Sequence, residues 1–314
     1  MKKIFFILSA LPFFAFASGE RFKIMSYNIR HGETSDKGFD LSRCASVIGA
    51  ENPRFVALQE VDMYTERVGK INTCETIAKI LTENQLCATN WNFSRAIKFG
   101  GGDYGVALLS REKPLRVDTV KLGGNEPRVL LMCEFDDCWV GVTHLPLGFV
   151  DGRIMNLTSH KSSFPIDDSD GEITADNVAL AKERADLARE FNRISFDYMA
   201  SVIKVEVLAR AKTKPVFLTG DWNALPQSRF LTNVRKFMTV LTPENIPTFH
   251  GVIKKLPFTG KGKCIDYIAV DTAHASAYDV LSSRVIDERL VSDHAPVVLE
   301  VNPVRVKQNP SPGG

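Results

Sequence analysis

Apolar residues along the chain follow two spacings, and each spacing predicts a different secondary-structure element. Short runs rich in Val, Ile, Leu and Phe are bounded by turn-forming residues, a pattern typical of strands. These predicted strands cover 22–28, 55–60, 104–110, 128–135, 138–144, 215–220, 264–270 and 296–301.

Helical spacing of apolar residues appears between these runs. It predicts a helix over 41–50, and another over 73–83 with Asn72 as its cap. A longer helical pattern begins near Thr174, and its apolar residues recur every three or four positions as a stripe that should face a core. The stripe comprises Leu187, Phe191, Ile194, Tyr198, Val202, Val205 and Leu208. Because strands and helices alternate, we expect a mixed α/β protein with sheets inside and helices outside.

The N-terminus has the features of an export leader. Lys2 and Lys3 precede an apolar run over 4–16, and the Ala-Phe-Ala sequence that ends at Ala17 is a small-x-small cleavage site. The apolar run is shorter than the roughly 20 residues that span a bilayer. We therefore expect a leader over 1–17, one domain over 18–303 and a flexible tail over 304–314, with a secreted or periplasmic product. An uncleaved membrane anchor is the alternative.

Net charge limits the choice of partner. The full chain has 39 Lys and Arg residues against 37 Asp and Glu residues, and cleavage would remove Lys2 and Lys3, leaving the two signs equal. Proteins that bind DNA without sequence preference usually carry a basic excess. Any basic surface must therefore be a local patch, and small phosphoesters stay open as substrates.

The six cysteines permit disulfides in an exported chain. Cys133 and Cys138 flank a predicted tight hairpin, which makes them the first candidate pair. No CxxC motif and no Cys/His zinc spacing is present in the sequence.

A polar stretch over 146–172 separates a predicted strand from the long helical pattern. Its Asp-rich end fails the residue spacing of a calcium-binding loop, so a solvated surface loop is the better interpretation. An insertion of this length beside a site could also act as a lid or select substrate.

Carboxylates, amides and two histidines stand at the ends of the predicted strands. Taken singly, each is a common turn former. Together they describe a polar site on the rim of a sheet, and oxygen donors without cysteine suit Mg²⁺, Mn²⁺ or Ca²⁺ better than zinc. The set comprises Asn28, Glu60, His144, Asp221, Asn223, Asp266, Asp293 and His294.

Four motifs in this order resemble those of the endonuclease/exonuclease/phosphatase superfamily. They are Asn28-Ile29-Arg30, Gln59-Glu60-Val61-Asp62, Gly220-Asp221-Trp222-Asn223 and Ser292-Asp293-His294-Ala295-Pro296. The resemblance extends from about Phe22 to Val301. It implies an α/β four-layer sandwich, in which two packed mixed β-sheets are flanked by helices. It also implies a metal-dependent phosphoric ester hydrolase that uses Mg²⁺ or Mn²⁺, with Ca²⁺ as an alternative.

The resemblance assigns roles residue by residue. Glu60 would bind the metal, with Asn28 and Asp293 assisting. Catalysis would belong to His144, Asp221, Asn223, Asp266 and His294, in which the two residues of the Gly-Asp-x-Asn motif orient the attacking water and Asp266 orients the second histidine.

Three further positions match the family less closely. Asp103 resembles the carboxylate that partners the first histidine in deoxyribonucleases. Tyr104 and Arg128 resemble residues that contact phosphate. A turn-forming Asp, a core Tyr and a surface Arg are equally open interpretations.

The substrate stays open between classes. A secreted nuclease needs a basic and aromatic rim, for which Arg95, Lys98, Phe99 and Tyr104 are candidates. A lipid or small-molecule phosphoesterase, resembling a sphingomyelinase or a phosphoinositide phosphatase, is the alternative, but the sequence shows no apolar hairpin for membrane insertion. An inactive binding protein ranks last because the motif residues are intact. We expect a monomer with a phosphodiester substrate, nucleic acid favoured over lipid, and no transmembrane segment after leader cleavage.

Overall fold

The computed structural model describes residues 20–36, 38–84, 90–123, 127–146, 196–251 and 262–304. The predicted leader, the insertion beyond Pro146, the first part of the long helical pattern and the end of the tail lie outside the described residues.

Two six-stranded mixed sheets form the centre of the molecule. The first sheet contains β1 (Phe22–Asn28), β2 (Phe55–Met63), β3 (Asn90–Phe99), β4 (Gly102–Ser110), β11 (Tyr278–Val285) and β12 (Val297–Pro303). Its strand order is β11-β12-β1-β2-β4-β3. The second sheet contains β5 (Arg116–Gly123), β6 (Arg128–Glu134), β7 (Trp139–His144), β8 (Val216–Asp221), β9 (Met238–Val240) and β10 (Asp266–Asp271). Its strand order is β5-β6-β7-β8-β10-β9.

Helices cover the outer face of each sheet. The first sheet carries α1 (Leu41–Glu51) and α2 (Thr73–Glu83), and the second carries α3, described over 196–210, and α4 (Arg229–Val234). Helix α2 begins as predicted, because the side chain of Asn72 accepts a hydrogen bond from the backbone of Glu75. Among the described helices, none has the length and apolarity needed to cross a membrane. The predicted four-layer sandwich is confirmed.

The alternation of side chains along each strand creates the layers. In β6, the side chains of Val129, Leu131 and Cys133 lie in the interior between the sheets. Those of Leu130 and Met132 point the other way and pack under α3 and α4. In β1, Ile24 joins the same interior and Met25 packs under α1 and α2. Strands that are buried on both faces therefore consist almost wholly of apolar residues.

All eight predicted strands are present, with ends shifted by a few residues. Four strands were not predicted: β3, β5, β9 and β11. Each of these four is an edge strand of its sheet. Edge strands expose one side to water and carry charged residues, so their hydrophobic pattern is weak.

The predicted core stripe of α3 is wrong for most of its described members. Tyr198 and Val205 are 57% and 64% exposed, and Leu208 is exposed as well. The face that packs on the second sheet is instead Phe196, Met199, Ala200, Ile203 and Val207. The helix has apolar residues on two faces, so spacing alone could not decide which face the sheet would cover.

The predicted Cys133–Cys138 disulfide is also wrong. Both cysteines are buried free thiols, as are Cys44, Cys74 and Cys264. Cys133 pairs with Val140 across the hairpin, so Cys138 lies two positions away from the residue opposite Cys133. Cys87 lies outside the described residues.

Strand pairing brings three polar residues into one row. Strands β7 and β8 run parallel with His144 opposite Asp221, and β10 pairs antiparallel with β8 so that Asp266 is also opposite Asp221. In the other sheet, β1 and β2 run parallel with Asn28 opposite Gln59. The polar strand ends of both sheets therefore meet at one rim of the sandwich.

We expect Gly220→Ala to disrupt this row. Gly220 has φ +146° and lies against the backbone of Thr143, where an added Cβ would come within 1.9 Å of the carbonyl oxygen. The clash and the strained dihedral together should lower the free energy of unfolding by about 3 kcal/mol or more. Thermal unfolding would measure this as a drop of several degrees in Tm.

Gly69→Ala is the matched control. Gly69 also has positive φ, at +71°, but an added Cβ there would meet no atom within 4 Å. It should cost only the dihedral strain, about 1 kcal/mol. Equal losses of Tm in the two variants would show that the close approach to Thr143 does not matter.

Candidate active site

His294 lies at the centre of the polar rim and is held from several directions. Its Nδ1 is 2.9 Å from Asp266 Oδ2, and its Nε2 is 3.6 Å from Asp221 Oδ2. The backbone N–H of His294 donates to Ser292 Oγ, and the ring of Phe249 packs against the imidazole with 4.9 Å between ring centroids. The imidazole is therefore buried in one orientation.

The charges of this cluster change the proton affinities of its members. Burial disfavours the protonated imidazole, but Asp266 and Asp221 outweigh burial and raise the pKa of His294 above its ordinary value. Burial and the nearby Asp266 raise the pKa of Asp221 as well. His294 is therefore protonated, with Nδ1 facing Asp266 and Nε2 facing Asp221.

Glu60 reaches this cluster from the first sheet. The pairing of β2 with β4 shifts between Leu58 and Val61, so Glu60 lies in a bulge with φ +56°. A bulge turns a side chain out of the regular alternation of a strand. Burial and the nearby Asp293 raise the pKa of the Glu60 carboxyl group.

Asn28 connects Glu60 with the second sheet. Its Nδ2 is 3.2 Å from Glu60 Oε1 and 3.1 Å from Asp221 Oδ2, and it donates to both. Its Oδ1 accepts a hydrogen bond from the backbone N–H of Arg30. In this orientation the side-chain nitrogen of Asn28 links the two acids.

His144 and Asn223 form the other side of the cluster. Asn223 Nδ2 is 3.2 Å from His144 Nε2 and donates to the carbonyl oxygen of Leu145 at 2.8 Å. The backbone N–H of Asn223 donates to Asp221 Oδ1, in a turn where Asn223 has φ +47°. Burial, followed by the charge of Arg128, lowers the pKa of His144 well below its ordinary value, so this histidine is neutral.

Arg128 is not the surface residue that the sequence left open. It is the first residue of β6 and only 4% exposed. Its charge partly offsets the raised pKa of Glu60 and adds to the lowered pKa of His144, so the guanidinium lies near both side chains. A buried cation here can face an anionic ligand.

Asp103 lies on the β3–β4 hairpin, next to two cations of the same hairpin. Asp103 Oδ1 is 2.8 Å from Lys98 Nζ and 3.5 Å from Arg95 Nη1. Among the described residues, His144 Nδ1 has no hydrogen-bond partner. Of the two interpretations that the sequence left open for Asp103, the structure therefore shows no bond to His144 Nδ1, and the β3–β4 hairpin directs Asp103 to its own cations.

Two contacts at the site could not be predicted from the sequence. Arg30 Nε is 3.6 Å from Asp293 Oδ2, in a turn where Arg30 has φ +45°. Phe249, which covers His294, comes from a segment without a motif. Arg30 belongs to a recognised motif but its partner could be seen only in the folded chain.

The donor atoms at this rim fit a divalent cation. Asp221, Asp266 and His294 each offer one ligand atom, and these atoms lie within 4.8 Å of one another. Glu60 and Asp293 are a second group, whose mutual repulsion contributes to the raised pKa of Glu60. Crowded, buried carboxylate oxygens are the donors that Mg²⁺, Mn²⁺ and Ca²⁺ prefer, and a cation would relieve the repulsion.

Comparison with known proteins gives one family. The model of the Endonuclease/Exonuclease/phosphatase family matches residues 25–294. No curated protein sequence matches the chain. Solved structures with the same fold include an endonuclease/exonuclease/phosphatase from Beutenbergia cavernae DSM 12333, with TM-score 0.63 and 18% identity over 90% of this chain and 72% of that one.

Two further structures agree. One is an endonuclease/exonuclease/phosphatase from Bacteroides vulgatus, with TM-score 0.60 and 16% identity over 91% of this chain and all of that one. The other is a family protein from Leptotrichia buccalis C-1013-b, with TM-score 0.56 and 16% identity over 89% of this chain and 99% of that one. The chain belongs to the endonuclease/exonuclease/phosphatase family and is a metal-dependent phosphoesterase.

Proposed function

We propose that this phosphoesterase is a nuclease that hydrolyses phosphodiester bonds of nucleic acid with Mg²⁺ or Mn²⁺. The observation that carries the proposal is the position of His294, buried between Asp266 and Asp221 at the same rim as Glu60. This arrangement gives a held imidazole, a carboxylate that can take a proton and a carboxylate for a metal within one cluster.

Asp266 acts on His294 as a positioning residue. By accepting a hydrogen bond from Nδ1–H at 2.9 Å, it directs Nε2 toward Asp221 and the substrate. The raised pKa keeps His294 protonated near neutral pH, so its charge faces the phosphoryl oxygens.

The reaction is an in-line attack of water on phosphorus. Asp221 accepts the proton of the water as the new P–O bond forms, and Asn223 holds Asp221 through its backbone N–H. The leaving oxygen takes the Nε2 proton of His294 as its bond to phosphorus breaks. Asp221 then returns the first proton to His294, which lies 3.6 Å away.

Glu60 and Asp293 would hold the cation, with Arg128 as a fixed positive charge nearby. The chemistry that a bound divalent cation supplies here is polarisation of the phosphoryl oxygen and neutralisation of developing charge.

The hairpin beside the site favours nucleic acid over lipid. Strands β3 and β4 carry Arg95, Lys98 and Asp103 around a tip that contains one large apolar residue, Phe99. A hairpin that inserts into a membrane would expose several apolar side chains. The leader motif ending at Ala17 supports export of the mature protein.

The first experiment offers purified protein several phosphodiesters, with Mg²⁺ and with EDTA. The panel is single-stranded DNA, plasmid DNA, RNA, sphingomyelin vesicles and bis-p-nitrophenyl phosphate. We expect EDTA-sensitive cleavage of nucleic acid. Turnover of sphingomyelin without turnover of any nucleic acid would replace the proposed substrate by a lipid.

Asp266→Asn tests the positioning role. The amide keeps the shape but lacks the charge that holds His294, so kcat should fall about 10²- to 10³-fold. If Asp266 acts only through His294, the Mg²⁺ concentration for half-maximal activity stays unchanged. A shift of that concentration without loss of kcat would identify Asp266 as a metal ligand instead, as its place in the Asp221–Asp266–His294 group allows.

A further inference from the structure

The turn after β2 and the tip of the β3–β4 hairpin together form one edge of the site, which we call the lip. On this lip, Arg67 is held beside two aromatic rings. Arg67 donates from Nε and Nη2 to the two oxygens of Asp62, at 2.6 and 2.8 Å, and Asp62 is fully buried. The guanidinium carbon of Arg67 lies 4.6 Å from the ring centroid of Phe99 and 5.7 Å from that of Tyr104. The plane of the guanidinium is therefore set by an ion pair and by stacking.

The backbone around Arg67 holds the rings in place. Tyr104 on β4 is opposite Asp62 on β2, and Phe99 ends β3 at the tip of the β3–β4 hairpin. The carbonyl oxygen of Gly100 in this tip accepts a hydrogen bond of 2.8 Å from the N–H of Glu66, the residue before Arg67. Thr65 Oγ1 also donates to Asp62, so both sides of the lip are tied together.

Arg67, Phe99 and Tyr104 form a platform, and part of it faces solvent. Phe99 is 42% exposed, and the side chain of Arg67 is 34% exposed. Among the described residues, Arg67 Nη1 has no hydrogen-bond partner, because the two side-chain hydrogen bonds of Arg67, from Nε and Nη2, both go to Asp62. An exposed ring face and a free guanidinium donor therefore lie side by side.

The platform is adjacent to the cluster that holds His294. Asp62 is two residues after Glu60 on β2, and the charge of Glu60 acts on Arg67. Arg95 and Lys98 continue the positive charge along β3, each paired with Asp103 and each more than half exposed. The three cations Arg67, Arg95 and Lys98 are matched by three acids, Asp62, Glu66 and Asp103, so the lip is formally neutral and offers individual cations to a ligand.

We propose that Phe99 and Arg67 form a specificity-determining platform for single-stranded nucleic acid, on which one base stacks on Phe99 while Arg67 Nη1 binds the adjoining phosphate. This proposal rests on the proposed nuclease function and names its substrate class. Stacking on an aromatic ring requires a free base face, which an unpaired strand offers and a duplex hides. The chemistry is tolerant of sequence because every base has such a face.

The test compares two oligonucleotides of equal length, one normal and one in which every base is replaced by an abasic spacer. We expect Phe99→Ala to lower kcat/KM on the normal single strand about 10-fold, mainly through KM. On the abasic strand the variant and the native protein should be equal, because no base is left to stack. Phe99→Trp should retain the native preference for the normal strand.

Leu281→Ala is the control, because Leu281 is a large apolar residue, 51% exposed, on the opposite edge strand of the same sheet. It should leave both substrates unaffected. Native protein that cleaves normal and abasic strands equally, with Phe99→Ala unchanged, overturns the platform while the nuclease function stands. Native protein that cleaves plasmid DNA but neither single strand overturns the platform and leaves the nuclease function standing, whereas native protein that cleaves no nucleic acid at all overturns both. Loss of sphingomyelin vesicle binding in Phe99→Ala, with oligonucleotide cleavage unchanged, would assign Phe99 to a lipid surface and overturn the proposal.

Discussion

His294→Ala is expected to lower kcat for phosphodiester cleavage about 10³-fold, with a smaller change in KM. The imidazole is the group that connects Asp266 with Asp221, through contacts of 2.9 and 3.6 Å. Its removal takes away both the charge near the phosphoryl oxygens and the proton for the leaving oxygen. Steady-state kinetics on the oligonucleotide substrate measures the loss.

The alanine variant also leaves Asp221 and Asp266 buried and facing each other without a cation. Its Tm is therefore expected to fall, and His294→Gln is the companion variant because it keeps much of the volume and can still hydrogen-bond to Asp266. Loss of activity in His294→Gln, with a Tm near the native value, separates chemistry from folding. Native-like kcat in either folded variant would rule out the mechanism.

A second histidine supplies the matched control. His274 Nδ1 is 2.8 Å from Asp271 Oδ1, a pair with almost the same geometry as His294 and Asp266. Asp271 ends the strand that begins with Asp266, so the two pairs are separated by about 17 Å along β10. His274→Ala should reduce stability slightly and leave kcat unchanged, because it breaks the same kind of pair away from the site.

Glu60→Gln is expected to raise the Mg²⁺ concentration for half-maximal activity by about 10²-fold or more. Loss of a partner behind a metal ligand already costs about 10- to 100-fold in affinity, and Glu60 is proposed to contact the ion itself. The same change should stabilise the metal-free protein, since burial and Asp293 both disfavour the charged Glu60 carboxylate. The gain in Tm on adding Mg²⁺ should become smaller.

Glu60→Gln is therefore expected to weaken the response to Mg²⁺ and, at the same time, to stabilise the metal-free protein. A variant that is merely misfolded would not be more stable. Thermal unfolding in EDTA and in Mg²⁺, together with Mg²⁺ titration of activity, measures both. Glu66→Gln removes the same charge from the neighbouring turn, near Gly101 at the hairpin tip, and should change neither quantity. An unchanged Mg²⁺ response in Glu60→Gln would leave the Asp221–Asp266–His294 group as the metal site.

The predictable part of the fold was the interior of the two sheets. The eight predicted strands are the ones with a neighbour on each side, and their apolar runs reflect burial on both faces. The four strands that were missed are the four edges, where Arg95, Lys98 and Arg116 break the pattern. The apolar pattern of a strand reflects how much of it is buried. An edge strand is less buried and is held mainly by hydrogen bonds to its one partner strand, so its own sequence predicts it poorly.

Helix positions show the same division. The ends of α2 follow from its own residues, because Asn72 caps it locally. The buried face of α3 does not, because Tyr198 and Val205 are as apolar as the residues that pack on the sheet. The choice between two apolar faces is made by the surface against which the helix packs.

The candidate site divides in the same way. From the sequence alone, the motifs determined the family, and with it the residues that stand at strand ends, from Asn28 to His294. Only the tertiary structure decided that His144, Asp221 and Asp266 share one row, that Asp103 pairs with Lys98, and that Arg67 lies over Phe99. A motif records which residue types a local turn carries, whereas these contacts join residues far apart in the chain and depend on strand register and on the packing of two sheets.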